Sequence, residues 1–318
     1  RKLSDPVEVA KIIEQKALTP DQLSEKEINS GIYAFAAKPL FANIDRLATD
    51  NAHRELYLTD MAGILNGENQ HVVALVAPDT DEVLGANTIA EMMFLDAALR
   101  LRKARELMAE GVTIFRPETS VIDSDVEVAA DTILEPYVQL LGKTKVGADC
   151  RIRSYSVISD SHIGDNVLIR HGSIIDQSRI ADAALIGPYS HIRPDSEIGK
   201  GAHVGNFVET KKTKLGKGSK ANHLSYLGDA VIGERCNIGA GTITCNYDGK
   251  NKHVTTIGDG VFVGSDSTLV APITLGDHAY VAAASCLTED VPANALALGR
   301  ARQTTKPNWT NRKKDNRD

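Results

Sequence analysis

The sequence predicts a parallel β-helix built on hexapeptide repeats, preceded by a short α/β segment and one connecting helix. Three observations carry this. Aliphatic residues recur at every sixth position over long runs, a compact residue recurs four places after many of them, and the pattern starts directly after a helix-patterned stretch ending in Gly111.

Residues 1–87 mix short apolar, strand-like runs (GIYAFAA, HVVALVAP) with amphipathic, helix-like ones (PLFANIDRLATD, ELYLTDMAGILNG). The texture is α/β, but the segment is too short to close a full nucleotide-binding sheet. The chain opens at Arg1 in what reads as mid-domain sequence, so it is expected to be a piece of something longer. Over residues 88–111, TIAEMMFLDAALRLRKARELMAEG has apolar residues at helical spacing, good helix formers and a closing Gly, which predicts a linker helix.

Over residues 112–300 the texture changes. Every sixth residue from Ile122 is aliphatic: Ile122, Val128, Leu134, Leu140, Val146, Ile152 and Ile158. Further runs take in Ile163 to Ile175, Ile180 to Val204 and Ile257 to Leu287. Neither the helical nor the strand period explains a period of six, whereas a hexapeptide repeat does. Units such as IGDNVL, IGKGAH, LGKGSK and IGDGVF fit a short strand with an inward aliphatic, followed by a tight turn. Three units make one triangular coil of about 18 residues, and roughly nine coils between Ile122 and Leu287 give a column ~45 Å tall at the ~4.8 Å strand spacing.

The interruptions are informative too. The steps from Ile158 to Ile163 and from Ile175 to Ile180 lose one residue, which corners can absorb. Between Thr244 and Ile257 lie 13 residues where 6 or 12 would fit, and the excess, NYDGKNKH, reads as a loop ejected from a coil. The aliphatic period also falters between Val204 and Ile257, where Lys, His, Tyr and Asn collect.

Composition excludes some classes of function. A net charge of -6 gives no general attraction to nucleic acid or acidic membrane, although residues 301–318 form a basic tail that reads as a solvated end. Cys150, Cys236, Cys245 and Cys286 show no metal or redox spacing and fit free thiols in a reducing cytosol. No signal peptide and no apolar run of membrane-spanning length is present in the sequence.

Several polar residues of the middle coils suit a definite chemistry. Arg193 (HIRP), Lys211 and Lys212 (VETKKTK) offer cations for a phosphate, or are solvated turn residues. Acyl transfer from a thioester to an amine needs a base, and His223 in KGSKANHLSYLG has a suitable side chain, though it is one His among nine. Tyr226 holds a phosphate or hydroxyl, or simply packs; Asn237, Asn246 and Tyr247 are turn residues or sugar contacts.

The segment HVGNFVETKKTKLGKGSKANHLSYLGDAVIG, followed by NIGAGTITCNYDGKNKH, resembles the bacterial bifunctional family N-acetylglucosamine-1-phosphate uridyltransferase / glucosamine-1-phosphate N-acetyltransferase. The resemblance covers essentially the whole chain and is most specific from Arg193 to Arg300. It implies a left-handed parallel β-helix, a homotrimer, and an α/β remnant of a nucleotidyltransferase (pyrophosphorylase) domain at residues 1–87. It further implies a cytoplasmic enzyme that acetylates glucosamine 1-phosphate with acetyl-CoA. The full-length parent also makes UDP-N-acetylglucosamine from UTP for peptidoglycan and lipopolysaccharide synthesis.

Carried over position by position, the resemblance puts the catalytic base on His223 and the sugar-phosphate contacts on Arg193, Lys211, Tyr226, Asn237 and Asn246. Acetyl-CoA contacts fall on Ala240, Asn246, Tyr247, Ser265, Ala283 and Arg300, with Ala240 acting through its backbone. Uridyltransferase contacts fall on Glu14, Asn29 and Asn87, the last also a Mg²⁺ ligand beside an upstream Asp. That Asp and the expected Gly-rich phosphate loop are absent from this sequence, so uridyl transfer is not expected of the chain as it stands. Two departures from the family pattern are Asn222, where Gly often precedes the base, and VAAASCL with Ala284 and Cys286.

Three rivals remain at this level: a hexapeptide acyltransferase for a different amino sugar, a non-catalytic β-helix assembly protein, and a zinc-dependent β-helix carbonic anhydrase. EINSGIY and EVLGANT argue against the first, and the joint presence of His223, Ser265 and Arg300 against the second. The third needs close His pairing, which His162, His171, His191, His203 and His223 do not show.

Overall fold

The computed structural model describes residues 8–14, 17–51 and 54–312. Residues 1–7 of the α/β segment and 313–318 of the tail lie outside the described residues. The chain divides into two compact units, Arg1–Ala98 and Leu99–Asp318.

In the first unit, helix α1 (Ala37–Asn43) starts two residues before the first amphipathic run and covers its opening residues, and α2 (Asp60–Gly67) falls within the second. Asn43, almost wholly buried, donates to Pro39 O at 3.0 Å and to Glu68 Oε2 at 3.1 Å, and Arg46 reaches Glu68 at 2.6 Å. The apolar runs differ from their strand-like pattern. HVVALVAP contributes only an isolated antiparallel bridge between Val73 and Glu8, and GIYAFAA is irregular up to the start of α1. The reason is the want of partners: a strand needs a neighbour for its backbone groups, and Leu75 is 98% exposed.

Helix α3 spans Ile89–Ala109. Its start is a capping box: Glu91 N–H donates to Thr88 Oγ1 at 3.2 Å, while the Glu91 carboxylate accepts the Asn87 and Thr88 N–H groups. Those two backbone donors, Asn87 first, hold the Glu91 carboxyl below its ordinary pKa. Gly111, at φ +97, stops the helix in the left-handed region.

The second unit is a parallel β-solenoid with the triangular architecture of the left-handed hexapeptide β-helix. Its strands are two to four residues long and form three parallel sheets of eleven, ten and nine strands among the described residues. The first face runs from Thr113–Ile114 to Leu296–Ala297, the second from Val121–Ile122 to Cys286–Leu287, and the third from Glu127–Val128 to Ile273–Leu275. The ten strands of the second face give nine steps, matching the coil count from periodicity. Ile122, Leu140, Ile158, Ile175 and Ile192 stack directly over one another on that face, all at most 1% exposed. Each such burial contributes about 1.5–3 kcal/mol.

The repeat does not stop between Val204 and Ile257. Thr210, Leu215, Ala221, Leu227, Ile232, Ile238 and Thr244 continue the inward series, and all are buried. The strict period of six falters because three of these seven are Thr or Ala and because the steps from Thr210 to Leu215 and from Leu227 to Ile232 are five residues. The ejected loop is also present. Ile238 pairs with Val263, 25 residues on, whereas Ala221 pairs with Ile238 after 17 and Val263 with Val281 after 18. The extra residues fold into a hairpin closed by a Tyr247–Lys252 bridge.

Candidate active site

Three neighbouring strands of the first face carry polar residues into the corner with the second: His203–Asn206, Lys220–His223 and Asn237–Ile238. Asn206 and His223 are in register, and Leu224, at φ +49, turns the chain immediately after His223. The His223 carbonyl accepts Ser225 Oγ at 2.8 Å and the Gly241 N–H at 3.4 Å, so the backbone is held while the imidazole is exposed.

From this corner a line of backbone contacts climbs one coil at a time. Gly241 N–H reaches His223 O, Asp266 N–H reaches Ala240 O at 2.7 Å, and Ala284 N–H reaches Ser265 O at 2.8 Å. Arg300 closes the line, its Nη1 donating to Ala283 O at 3.0 Å. His223, Ala240, Ser265, Ala283 and Arg300 therefore lie along one edge of the column. Among the described residues no acceptor takes the Ala240 N–H.

Beside His223, the second face presents Glu209–Lys211, Tyr226–Gly228 and Ile243–Cys245. Gly228 is the floor of this patch. A Cβ there would lie 2.4 Å from Tyr226 Oη and 2.7 Å from Asn246 Nδ2, so any larger residue would displace one or both side chains. At the far corner Lys211 Nζ meets Asp229 at 3.3 Å, and Asn246 Nδ2 donates to the same carboxylate. Arg193 Nη1 bonds Glu209 Oε1 at 2.8 Å, and that contact raises the Arg193 pKa further.

His203 lies one coil below Lys220, with its Nε2 buried and unpartnered. Burial first, then the neighbouring groups Arg170, Lys220 and His223, lower its pKa. The Oδ1 of Asn222, next to the candidate base, is likewise buried without a partner.

Sequence-predicted residues thus fall into two groups flanking the second face: His223, Ala240, Ser265, Ala283 and Arg300 at one corner, and Arg193, Lys211, Tyr226 and Asn246 across the face and at the other. Tyr247 is exposed on the hairpin, with Lys252 Nζ 4.6 Å from its ring centroid. Asn237 stands apart, on the outward row of the first face between Lys220 and Phe262. Asp229 and Glu209 were missed. The only sequence signal for either is its place within the resembling segment, since an acidic residue on a turn is ordinary.

In the first unit, Glu14 accepts Thr59 Oγ1 at 3.3 Å and Asn29 donates to Tyr33 Oη at 2.7 Å. Asn87 contacts Glu91 through its backbone, and that carboxylate is engaged in capping α3. One carboxamide and one committed carboxylate do not make a Mg²⁺ site, and no cluster of three His, Cys, Asp or Glu suited to a metal occurs among the described residues.

Family models match two stretches of the solenoid: "Bacterial transferase hexapeptide (six repeats)" over residues 177–212 and "Hexapeptide repeat of succinyl-transferase" over residues 254–289. The bifunctional protein GlmU of Koribacter versatilis is 64% identical over 307 residues, 96% of this chain and 66% of that protein. GlmU of Trichlorobacter lovleyi is 46% identical over 308 residues, 97% of this chain and 67% of that protein. The chain belongs to the GlmU family. It spans 66% of the length of the Koribacter versatilis GlmU and the same share of the GlmU from Solibacter usitatus, which is 51% identical. The likeness to GlmU proteins includes the α/β segment, because 96% of the chain is aligned. Among solved structures, a UDP-N-acetylglucosamine acyltransferase of Francisella novicida aligns with 59% of this chain and 67% of its own at 19% identity and a TM-score of 0.36.

Proposed function

We propose that this chain transfers the acetyl group of acetyl-CoA to the amine of glucosamine 1-phosphate, giving N-acetylglucosamine 1-phosphate and CoA. The observation that carries the reading is the line His223, Ala240, Ser265, Ala283 and Arg300 along one edge, beside a floor of Tyr226, Gly228 and Asn246. In the proposed step the amine attacks the thioester carbonyl, a C–N bond forms, and the C–S bond breaks as the tetrahedral intermediate collapses. His223 removes the proton from the amine. The free Ala240 N–H is suited to the developing oxyanion. Arg193 and Lys211 supply positive charge for the sugar phosphate, Tyr226, Asn237 and Asn246 orient the sugar, and Tyr247, Ser265, Ala283 and Arg300 hold the coenzyme.

The proposed division is a uridyltransferase remnant at residues 1–87, a linker helix at 88–111, the acetyltransferase β-helix at 112–300 and a basic tail at 301–318. Uridyl transfer, with Glu14, Asn29, Asn87 and Mg²⁺, is proposed only for a full-length parent, because the donors around Asn87 do not themselves fit the metal. A homotrimer is part of the reading. Asn237 and Tyr226 point outward from different faces of one column, so a site using both is completed by another column. A cytoplasmic location follows from the same family reading, and no helix among the described residues is long and apolar enough to cross a membrane.

The test is CoA release from acetyl-CoA with glucosamine 1-phosphate, with glucosamine 6-phosphate as control. Release with the 1-phosphate alone is expected. No release from a protein verified as a trimer by sedimentation overturns the reading.

A further inference from the structure

We propose that Asp229 is a positioning residue that joins the sugar-phosphate lysine to the coenzyme loop, so that the two substrates bind cooperatively through it. The inference rests on the acetyltransferase reading above.

Asp229 is held in place by its main chain. Its N–H donates to Lys211 O at 2.8 Å, its carbonyl accepts the Thr255 N–H at 3.2 Å, and its φ of +48 turns it sharply after Gly228. The side chain therefore springs from a fixed backbone position. Both its oxygens face Lys211 Nζ, at 3.3 and 3.5 Å, and one accepts Asn246 Nδ2 as well. The Lys211 and Asp229 side chains are 20% and 13% exposed, whereas Lys214 and Glu197, another pair of the column, are 61% and 54% exposed. A pair so withdrawn from water has a stronger mutual hold than a surface pair, and greater consequences when one partner is taken away.

The chain of contacts continues past Asn246. Its carbonyl accepts the His253 N–H at 2.8 Å, and His253 Nε2 lies 2.8 Å from Asp248 Oδ2 inside the hairpin that bears Tyr247. Lys211, Asp229, Asn246, His253 and Asp248 thus form one unbroken relay from the proposed phosphate site to the proposed coenzyme loop. A phosphate arriving at Lys211 competes with Asp229 for the ammonium. As Lys211 turns to the phosphate, the Asp229 carboxylate is left with Asn246 as its remaining side-chain donor. That hydrogen bond then strengthens and fixes the base of the hairpin. By linkage the effect is reciprocal: each ligand tightens the other by the same factor.

The test uses CoA in place of acetyl-CoA, so that the ternary complex cannot react, and calorimetry of the intact protein. CoA is expected to bind at least about fivefold more tightly with saturating glucosamine 1-phosphate than without it. Asp229→Asn keeps an acceptor for Asn246 but removes the charge facing Lys211, and is expected to bring that factor to about one while CoA alone binds within about twofold of wild type. A merely structural residue would weaken CoA without touching the factor. A wild-type factor of one, or a factor unchanged in Asp229→Asn, overturns the proposal. Wild-type protein that binds no CoA overturns the acetyltransferase reading instead. The relay is then judged without ligand, by melting a double-mutant cycle of Asp229→Asn with Lys211→Met and another with Asn246→Ala. Non-additive shifts in Tm support the relay, and additive shifts in both cycles overturn it.

Discussion

Replacing His223 by Ala separates chemistry from folding more cleanly than any other change at this site. The imidazole is exposed, and what the surrounding structure grips is the His223 carbonyl, through Ser225 Oγ and the Gly241 N–H. Both contacts survive in His223→Ala, so stability is expected to change by less than about 0.5 kcal/mol. A positioned general base contributes roughly 10²–10⁴ in rate, equivalent to about 2.7–5.4 kcal/mol of barrier. The variant should therefore lose kcat by that factor at pH 7, with KM for glucosamine 1-phosphate little altered, since phosphate binding is assigned to Arg193 and Lys211.

The pH dependence sharpens this prediction. The substrate amine is protonated near neutrality, and His223 is assigned the removal of that proton. As pH rises toward the pKa of the amine, a growing share of substrate arrives already deprotonated, so the deficit of His223→Ala should narrow. The assay is thiol release followed from pH 6.5 to 9 for both proteins, with melting curves alongside. A loss below about tenfold at pH 7 in a normally melting variant would refute the assignment of the base, because that is under the range for a positioned base. A deficit equal at all pH values would point to a steric role.

Other perturbations follow from the same geometry. Gly205→Ala places a Cβ 2.2 Å from the Asn222 carbonyl of the next coil, and because the obstacle is backbone a loss of about 3 kcal/mol or more is expected from the urea midpoint. In Thr244→Val, the Gly228 N–H loses the Oγ1 that accepts it at 2.8 Å, so a drop of about 1–3 kcal/mol is expected by the same measurement. Asn222→Ala removes a buried Oδ1 that has no partner, and Tm should hold or rise; a clear fall would reveal a partner for that oxygen. The Asp248 carboxyl is held well below its ordinary range, first by the Asn251 N–H, then by His253 and the Lys250 N–H. A depressed carboxyl gives stability that is complete above its unfolded pKa and lost as pH falls below it, so amide protection factors in the 247–253 hairpin, taken against unstructured-peptide exchange rates at each pH, should hold down to about pH 4 and fall below it.

The solenoid was legible because its chemistry is repetitive. A buried aliphatic at every sixth position is demanded by each coil, and nine coils repeat the demand. Thr210, Ala221 and Thr244 were illegible as core: Ala221 is too small to mark an aliphatic period, and burial of Thr depends on hydrogen-bond partners in neighbouring coils, such as Gly228 for Thr244, that no local pattern displays. The same holds at the site. The corner bearing His223 could be found from a break in the pattern and from resemblance, whereas Asp229 is significant only because folding brings Lys211 and Asn246, 18 and 17 residues away, to one carboxylate. The strand-like runs before residue 88 failed in the opposite way: their local pattern was apolar, but a strand exists only with a partner, and among the described residues of these runs only Val73 forms a bridge.

The two features, a weakened interior and a concentration of function, belong together. Thr210 and Thr244 sit inside the column immediately before Lys211 and Cys245, the residues that lead into the phosphate site and the hairpin. An inward Thr gives up part of the burial energy that Ile or Leu would contribute, but its hydroxyl forms directional bonds with a neighbouring coil. Thr210 Oγ1 donates to Ser196 Oγ at 3.3 Å, and Thr244 Oγ1 bridges the N–H and carbonyl of Gly228 at 2.8 and 3.0 Å. Such bonds specify the height and rotation of one coil against the next, which packing of aliphatic side chains does less strictly. Tyr226 and Asp229, three residues apart on one coil, and Asn246 of the next coil must meet around Gly228. Where outward groups from different coils have to act together, the column replaces some of its hydrophobic interior with hydrogen bonds that hold those coils in register.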